Sequence, residues 1–112
     1  MGDGRMRRVD EAIRQVLADA LAGELADPRV GFVTVTEVKT SPDLRTAHVF
    51  VSVLGDEATR EASLAGLRSA HGLLQRRIAA ELHLRRTPTL QFDYDPTTDR
   101  ALRVDALLRE EP

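Results

Sequence analysis

The stretch "RSAHGLLQRR", Arg68 to Arg77, interrupts a segment that would otherwise form one helix from about Glu57 to Leu84. The flanking residues are mostly alanine, leucine and charged side chains, which favour helix. A glycine in a helix interior costs about 1 kcal/mol relative to alanine, and the Ser-Ala-His before it adds little helix propensity. The sequence therefore predicts two helices that meet at a tight interhelical kink, whose residues are Ser69, Ala70, His71 and Gly72.

The chain before this stretch predicts one helix and a β-hairpin. Apolar residues recur at spacings of three and four from Val9 to Leu25, the stripe of an amphipathic helix, which Asp27-Pro28 ends. The segments Val30 to Val38 and Arg45 to Val53 alternate apolar and polar side chains, as half-buried strands do. A short turn joins them, so they predict a hairpin. Asp56 is the predicted N-cap of the helix that follows.

A third strand follows the kinked helices. Thr89 to Asp95 places Leu90, Phe92 and Tyr94 on one face, and Asp99 to Arg109 predicts a short last helix. The expected fold is α+β, in the order helix, strand, strand, helix, kink, helix, strand, with a mixed three-stranded sheet and its helices on one face. The predicted core comprises Ile13, Leu17, Val49, Val51, Leu74, Ile78, Leu90 and Phe92.

That order is typical of a type II KH-like domain. Strand, two helices at a glycine-containing turn, and returning strand form the KH core, and KH domains clamp single-stranded backbone with a Gly-x-x-Gly turn. Here Gly72 stands alone. If the kink serves to bend the chain, Gly72 is expected at a positive φ, where an added Cβ would be strained.

Composition limits the classes of protein that the chain can represent. Its 112 residues, 42% of them hydrophobic, predict a single domain spanning 1–112, with 1–5 and 109–112 expected to be flexible. Cysteine is absent, which excludes disulfides and thiolate metal sites. The N-terminus has no uninterrupted apolar run, so we expect a cytoplasmic protein with no membrane association.

The charged residues are distributed unevenly. A formal charge of −2 argues against indiscriminate coating of nucleic acid. The basic residues group near the N-terminus and in the pairs Arg76-Arg77 and Arg85-Arg86, whereas acids gather around Asp56 and from Asp93 to Asp99. This distribution indicates separate basic and acidic faces, or simply solvated helix surfaces and an acidic turn.

Three stretches carry a resemblance to a known family. The run "DPRVGFVTVTEVKTSPDLRTAHVFVSVLG" (Asp27 to Gly55), the Ala70-His71-Gly72 turn and "LHLRRTPTLQFDYD" (Leu82 to Asp95) resemble the bacterial ribosome-binding factor A family. In that family an Ala-x-Gly kink takes the place of Gly-x-x-Gly. The likeness runs from about Arg8 to Leu108. His71 departs from it, because a smaller residue is expected at that position.

The resemblance implies a non-enzymatic assembly factor. Its implied partners are the small ribosomal subunit and its 16S ribosomal RNA, with an assembly GTPase as a further candidate. Its implied role is late subunit maturation, including processing of the 5′ end of the RNA, and cold adaptation. It is expected to act as a monomer without cofactor or metal. The residues expected to contact RNA are Arg7, Arg8, Arg29, Lys39, Arg45, Arg76, Arg77, Arg85 and Arg86.

Recognition is expected to rely on RNA backbone and shape. Arginine guanidiniums bind phosphate, and an opened helix junction exposes N–H groups to an anion. Arg76 and Arg77 are both expected to be exposed, so that reversing their charge leaves folding nearly unchanged. The chain's aromatics, Phe32, Phe50, Phe92 and Tyr94, are all predicted in strands, so no base-stacking platform is expected at the kink.

Two other classes of function remain open at this point. An enzyme or cation site would rest on Asp93, Asp95 and Asp99, but Thr98 stands where a calcium loop requires glycine and Val104 where it requires glutamate. A small α+β regulatory or dimerisation module without RNA binding would require a ligand pocket, for which no glycine-rich loop argues.

Overall fold

The computed structural model describes residues 2–23 and 29–96. The elements follow the predicted order and the fold is the predicted α+β one. The helix predicted from Asp99 to Arg109 and the stop at Asp27-Pro28 lie outside the described residues. The elements are α1 (Gly2–Gly23), β1 (Val33–Thr40), β2 (Thr46–Val53), α2 (Glu57–Ser69), α3 (His71–Leu82) and β3 (Thr89–Tyr94).

The sheet has the strand order β1-β2-β3. β1 pairs with β2 antiparallel, as a hairpin does, whereas β2 pairs with β3 parallel. A parallel neighbour requires a crossover connection, and the α2–α3 pair supplies it. The alternating pattern of β2 buries Ala47, Val49 and Val51 completely under the helices. The helices therefore lie on one face of the sheet.

A β-bulge at Thr36 interrupts the alternation of β1. The register shifts between Val35 and Glu37, so that Val35 and Val38, three residues apart, are both buried. The Thr36 hydroxyl lies 3.1 Å from the Phe50 carbonyl oxygen and donates to a carboxylate oxygen of Asp95 at 2.6 Å. The bulge therefore links the edge strand β1 to the end of β3.

All eight residues of the predicted core are buried, which confirms that prediction. Two polar contacts fix the surrounding segments. Asp10 of α1 accepts a hydrogen bond from the Thr40 N–H at 2.9 Å, and the buried hydroxyl of Ser63 accepts one from the Gly31 N–H at 3.2 Å. The prediction that Phe32 lies in a strand is wrong: Phe32 precedes β1 and is 79% exposed.

The helices differ from their predicted extents mainly at α1. It begins at Gly2 and not at Val9, because residues such as Arg5 and Met6 have good helix propensity even outside the apolar stripe. Although α1 is 22 residues long, no helix in the described part of the chain is apolar enough to cross a bilayer.

Asp56 caps α2, as predicted. Its carboxylate accepts a hydrogen bond from the Thr59 N–H at 2.8 Å, and its carbonyl accepts one from the Arg60 N–H at 3.0 Å. The Thr59 N–H, assisted by the Thr59 hydroxyl, holds the pKa of Asp56 below its ordinary value because both favour the charged carboxylate.

We expect Asp56→Ala to lower the melting temperature by a few degrees at neutral pH, because it leaves an N-terminal amide of α2 without its acceptor. Because the pKa of this carboxyl is depressed in the folded state, the stabilisation is present above the unfolded pKa and is lost as pH falls through the folded value. Thermal melts of wild type and variant at neutral and strongly acidic pH should therefore converge on acidification. Equal melting temperatures at neutral pH would contradict a stabilising cap.

Candidate nucleic-acid interface

One residue separates the two crossover helices. Ala70 ends α2 and begins α3 with φ −87° and ψ 2°, a bridge conformation open to any residue. Its N–H lies 3.1 Å from the carbonyl oxygens of Gly66 and Leu67, and its own carbonyl accepts from the Leu74 N–H at 3.1 Å. The Ala70 side chain makes no capping hydrogen bond to α3. The bend therefore leaves the first amides of α3 without a side-chain cap from that position.

The hypothesis that Gly72 occupies a positive φ is wrong. Gly72 is the second residue of α3, and among the described glycines it is Gly55 that has a positive φ, at +136°. The chain bends at Ala70, whose backbone needs no glycine, so the bend puts no strain on Gly72. A Cβ at Gly72 would meet the Arg76 guanidinium at 3.8 Å, an ordinary contact distance.

Three cationic or ionisable side chains surround the kink. Arg68 donates from its guanidinium to the Phe92 carbonyl oxygen of β3 at 3.0 Å. His71 is exposed, and its Nδ1 lies 2.8 Å from the Arg68 carbonyl oxygen. Arg76 reaches back over Gly72 to the start of α3 and forms no ion pair within the described ranges. We call Arg68, His71 and Arg76 the kink cluster.

A cavity of about 410 Å³ lies beside the kink cluster. Its walls are Arg68, His71 and the residues of β3 from Thr89 to Asp93. Because β3 is an edge strand, the cavity is open along that edge of the sheet. Arg68 was missing from the predicted contacts, although it lies one turn before His71 in the stretch that defines the kink.

Arg77 is not the freely exposed cation that its sequence position suggests. Its side chain is only 24% exposed, and its Nε lies 3.3 Å from a carboxylate oxygen of Glu81, one turn further along α3. Adjacent helix positions point about 100° apart, so when Ile78 and Leu74 face the core, Arg77 is partly covered and Arg76 is not. The expectation of an exposed Arg76-Arg77 pair is therefore wrong for Arg77.

A second group of predicted contacts gathers at one end of the sheet. The Thr89 N–H donates to the Arg45 carbonyl at 2.9 Å, which places Arg45 beside the start of β3. Arg85 and Arg86 precede that strand in the chain. Lys39 pairs opposite His48 on the neighbouring strands, toward the same end. Arg7 and Lys39 line one groove between α1 and β1. We call Arg7, Lys39, Arg45, Arg85 and Arg86 the sheet-end cluster.

Acidic neighbours partly offset the charge of this cluster. Lys39 lies 3.7 Å from Glu37, and Arg45 lies 3.5 Å from Asp43. The Ser41 hydroxyl and then the Arg45 N–H hold the pKa of Asp43 below its ordinary value, so this carboxylate stays charged. Arg85 and Arg86 are exposed and make no ion pair with any described residue. They are therefore less neutralised than Lys39 and Arg45 of the same cluster.

Besides Arg77, two predicted contacts lie outside both clusters, Arg8 and Arg29. Arg8 is exposed on α1. The carbonyl of Arg29 accepts a hydrogen bond from the Ser63 hydroxyl at 3.3 Å, which places that residue beside the middle of α2. The structure therefore groups most, but not all, of the predicted RNA contacts, and their contact with RNA stays a prediction.

The fold and the kink define the class. Two helices meet at a one-residue break beside an edge strand that pairs parallel to its neighbour. This arrangement is that of a KH-like domain, here without a Gly-x-x-Gly turn. The particular family follows from the sequence: the model of the family "Ribosome-binding factor A" matches residues 5–108, and the chain belongs to that family.

Named relatives agree with this assignment. A ribosome-binding factor A from Anaeromyxobacter sp. (strain K) is 50% identical over 107 residues, which cover 95% of this chain and 78% of the relative. The crystal structure of ribosome-binding factor A from Thermus thermophilus is 28% identical, with a TM-score of 0.71 over 80% of this chain and 94% of that one. A solution structure of a putative ribosome binding factor A from Thermotoga maritima is 35% identical, with a TM-score of 0.72 over 80% and 85%.

A further match concerns a complex. A homology model of the Thermus thermophilus factor, fitted into a cryo-EM map of a complex of that factor with the 30S subunit, is 30% identical to this chain. Its TM-score is 0.63, over 77% of this chain and 90% of that one.

We expect two glycine-to-alanine changes to have opposite effects on stability. Gly72→Ala should raise the free energy of unfolding by about 0.5 to 1 kcal/mol, because helical backbone accepts a Cβ and the unfolded chain loses freedom. Gly55→Ala should lower it by roughly 1 to 3 kcal/mol, because its Cβ would lie 2.8 Å from a Thr59 methyl at a positive φ. Urea unfolding measures both. A destabilised Gly72→Ala variant would show that the kink does need glycine.

A second pair of variants separates the adjacent arginines of α3. Arg77→Ala should lower the free energy of unfolding by about 1 kcal/mol, because it uncovers apolar surface and removes the cation that faces Glu81. Arg76→Ala, the matched exposed control, should change it by less than about 0.5 kcal/mol. Denaturant curves of the two variants check this, and equal effects would mean that Arg77 is as solvated as Arg76.

Proposed function

We propose that this protein binds the small ribosomal subunit and its 16S ribosomal RNA and assists late maturation of that subunit, including processing of the RNA's 5′ end. The proposal rests above all on one observation: a 30% identical relative of the same fold has been fitted into a complex with the 30S subunit. The protein acts in this proposal by binding and not by catalysis.

The charges of the surface support binding to RNA backbone. The kink cluster offers guanidiniums beside the first amides of α3, and the sheet-end cluster offers Arg85 and Arg86 without acidic partners among the described residues. Phosphate oxygens only accept hydrogen bonds, so both clusters match them chemically. Within the described part of the chain, no exposed phenylalanine, tyrosine or tryptophan ring lines the kink cavity, which favours recognition of backbone and shape over base stacking.

The net charge supports a requirement for a folded RNA site. At a formal charge of −2, long-range attraction to free RNA is weak. Affinity therefore has to come from several short-range phosphate contacts made together. A preformed ribosomal surface can contact separated basic clusters simultaneously. A flexible single strand loses conformational entropy at each contact, which weakens its binding.

We expect the double variant Arg85→Glu/Arg86→Glu to bind small subunits more weakly and with a flatter salt dependence. Each lost phosphate contact removes counterions released on binding, which reduces the slope of log affinity against log salt by about one unit. Co-sedimentation with isolated small subunits across a salt series measures it. The double variant Arg85→Lys/Arg86→Lys keeps the charge and serves as the matched control. An unchanged slope in the glutamate variant would remove the sheet-end cluster from the interface.

A separate experiment addresses RNA processing. Bacterial cells that lack their own ribosome-binding factor A would be supplied with this chain or with the Arg85→Glu/Arg86→Glu variant. We expect the wild-type chain to reduce the amount of 16S precursor with an unprocessed 5′ end, measured by primer extension, and the variant to do so less. Binding to subunits without any change in precursor would keep the binding proposal and overturn the processing one.

A further inference from the structure

His71 is held in a defined orientation at the kink. Its Nδ1 lies 2.8 Å from the Arg68 carbonyl oxygen, and a carbonyl can only accept. The Nδ1 atom therefore carries the hydrogen and donates it. The second ring nitrogen, Nε2, is consequently the one left for a ligand. In the neutral ring Nε2 can only accept a hydrogen bond, and in the charged ring it can only donate one.

The position of His71 places its ring at the cavity beside the kink. The side chain is exposed and lines the cavity of about 410 Å³ together with Arg68 and the edge of β3. The Arg68 guanidinium is fixed there by its bond to the Phe92 carbonyl, and the Arg76 guanidinium lies over Gly72, the residue after His71. Two permanent cations therefore flank the kink at His71.

One acidic residue of the described part of the chain lines the same cavity. It is Asp93 of β3, whose carboxylate also lies 3.8 Å from Nδ1 of His48 on β2. The charged and titratable groups around His71 are thus Arg68 from α2, Arg76 from α3, Asp93 from β3 and, through Asp93, His48 from β2. Arg68 and Asp93 both line the cavity and offset one another, and Arg76 adds a permanent positive charge over Gly72, next to His71 in the chain. The surroundings of His71 therefore carry one positive charge in excess.

We propose that His71 is a pH-sensitive contact to an RNA phosphate, so that the hold of the kink on ribosomal RNA strengthens as pH falls. A phosphodiester offers acceptors alone, so the neutral ring has no hydrogen to give it at Nε2. The imidazolium ring donates from Nε2 while Nδ1 stays on the Arg68 carbonyl. Donation from Nε2 requires a second ring proton, so binding becomes linked to proton uptake. This inference rests on the proposed binding to the small subunit.

The test compares binding to isolated small subunits at about pH 6 and about pH 8 at constant ionic strength. We expect the wild type to bind about three- to tenfold more tightly at the lower pH, the effect of one charge-assisted contact. His71→Gln, which can still donate to the Arg68 carbonyl but cannot gain charge, should bind about equally at both pH values. His71→Arg should bind at both pH values about as tightly as the wild type does at low pH.

His48→Gln is the matched control, because His48 lies on β2 and faces Asp93. This variant should keep the wild-type ratio of the affinity at pH 6 to the affinity at pH 8. Melting curves verify that each variant is folded. A wild-type ratio retained in His71→Gln, or a wild type that binds equally at both pH values, would overturn the role of His71 and leave the proposed function standing. A wild type that fails to sediment with small subunits at either pH would instead overturn the proposed function.

Discussion

The parallel pairing of β2 with β3 is the constraint on which the rest of the structure depends. A parallel neighbour cannot be reached by a tight turn, so the chain between Val53 and Thr89 has to cross one face of the sheet and return. Two helices bent at Ala70 fulfil that requirement, and a single straight helix of the same total length would overshoot the sheet. The kink is therefore required by the packing of the crossover helices on the sheet.

The same constraint builds the candidate interface. Because α2 ends and α3 begins at the outer edge of β3, Arg68 can reach the Phe92 carbonyl, and the edge strand becomes a wall of the kink cavity. The return of the chain then leads through Arg85 and Arg86 to the start of β3, where Thr89 bonds to the Arg45 carbonyl. The crossover thus supplies the kink cluster and adds Arg85 and Arg86 to the sheet-end cluster, although the chain as a whole carries a slight negative charge.

The local patterns predicted the elements well and the individual site residues less well. Period-two alternation in β2 and the apolar stripe of α3 identified buried faces, because those residues face a single apolar environment. The same reasoning failed for Gly72 and Arg77. The glycine indicated that the helix is interrupted, but not at which residue the chain bends. The presence of an arginine in the sequence does not show whether neighbouring side chains cover it. The β1 bulge and the exposed Phe32 likewise depend on strand pairing.

By itself the sequence determined the order of the elements, the helix cap at Asp56, the core residues and the likeness to one family, because each of these depends on local propensity or on a pattern within one segment. Only the tertiary structure decided which cations stand together, which are neutralised and which line a cavity. Arg45 and Arg86 lie far apart along the chain and reach the same end of the sheet through a single strand pairing. Such proximity is a property of the sheet register, which side-chain patterns along one segment do not encode.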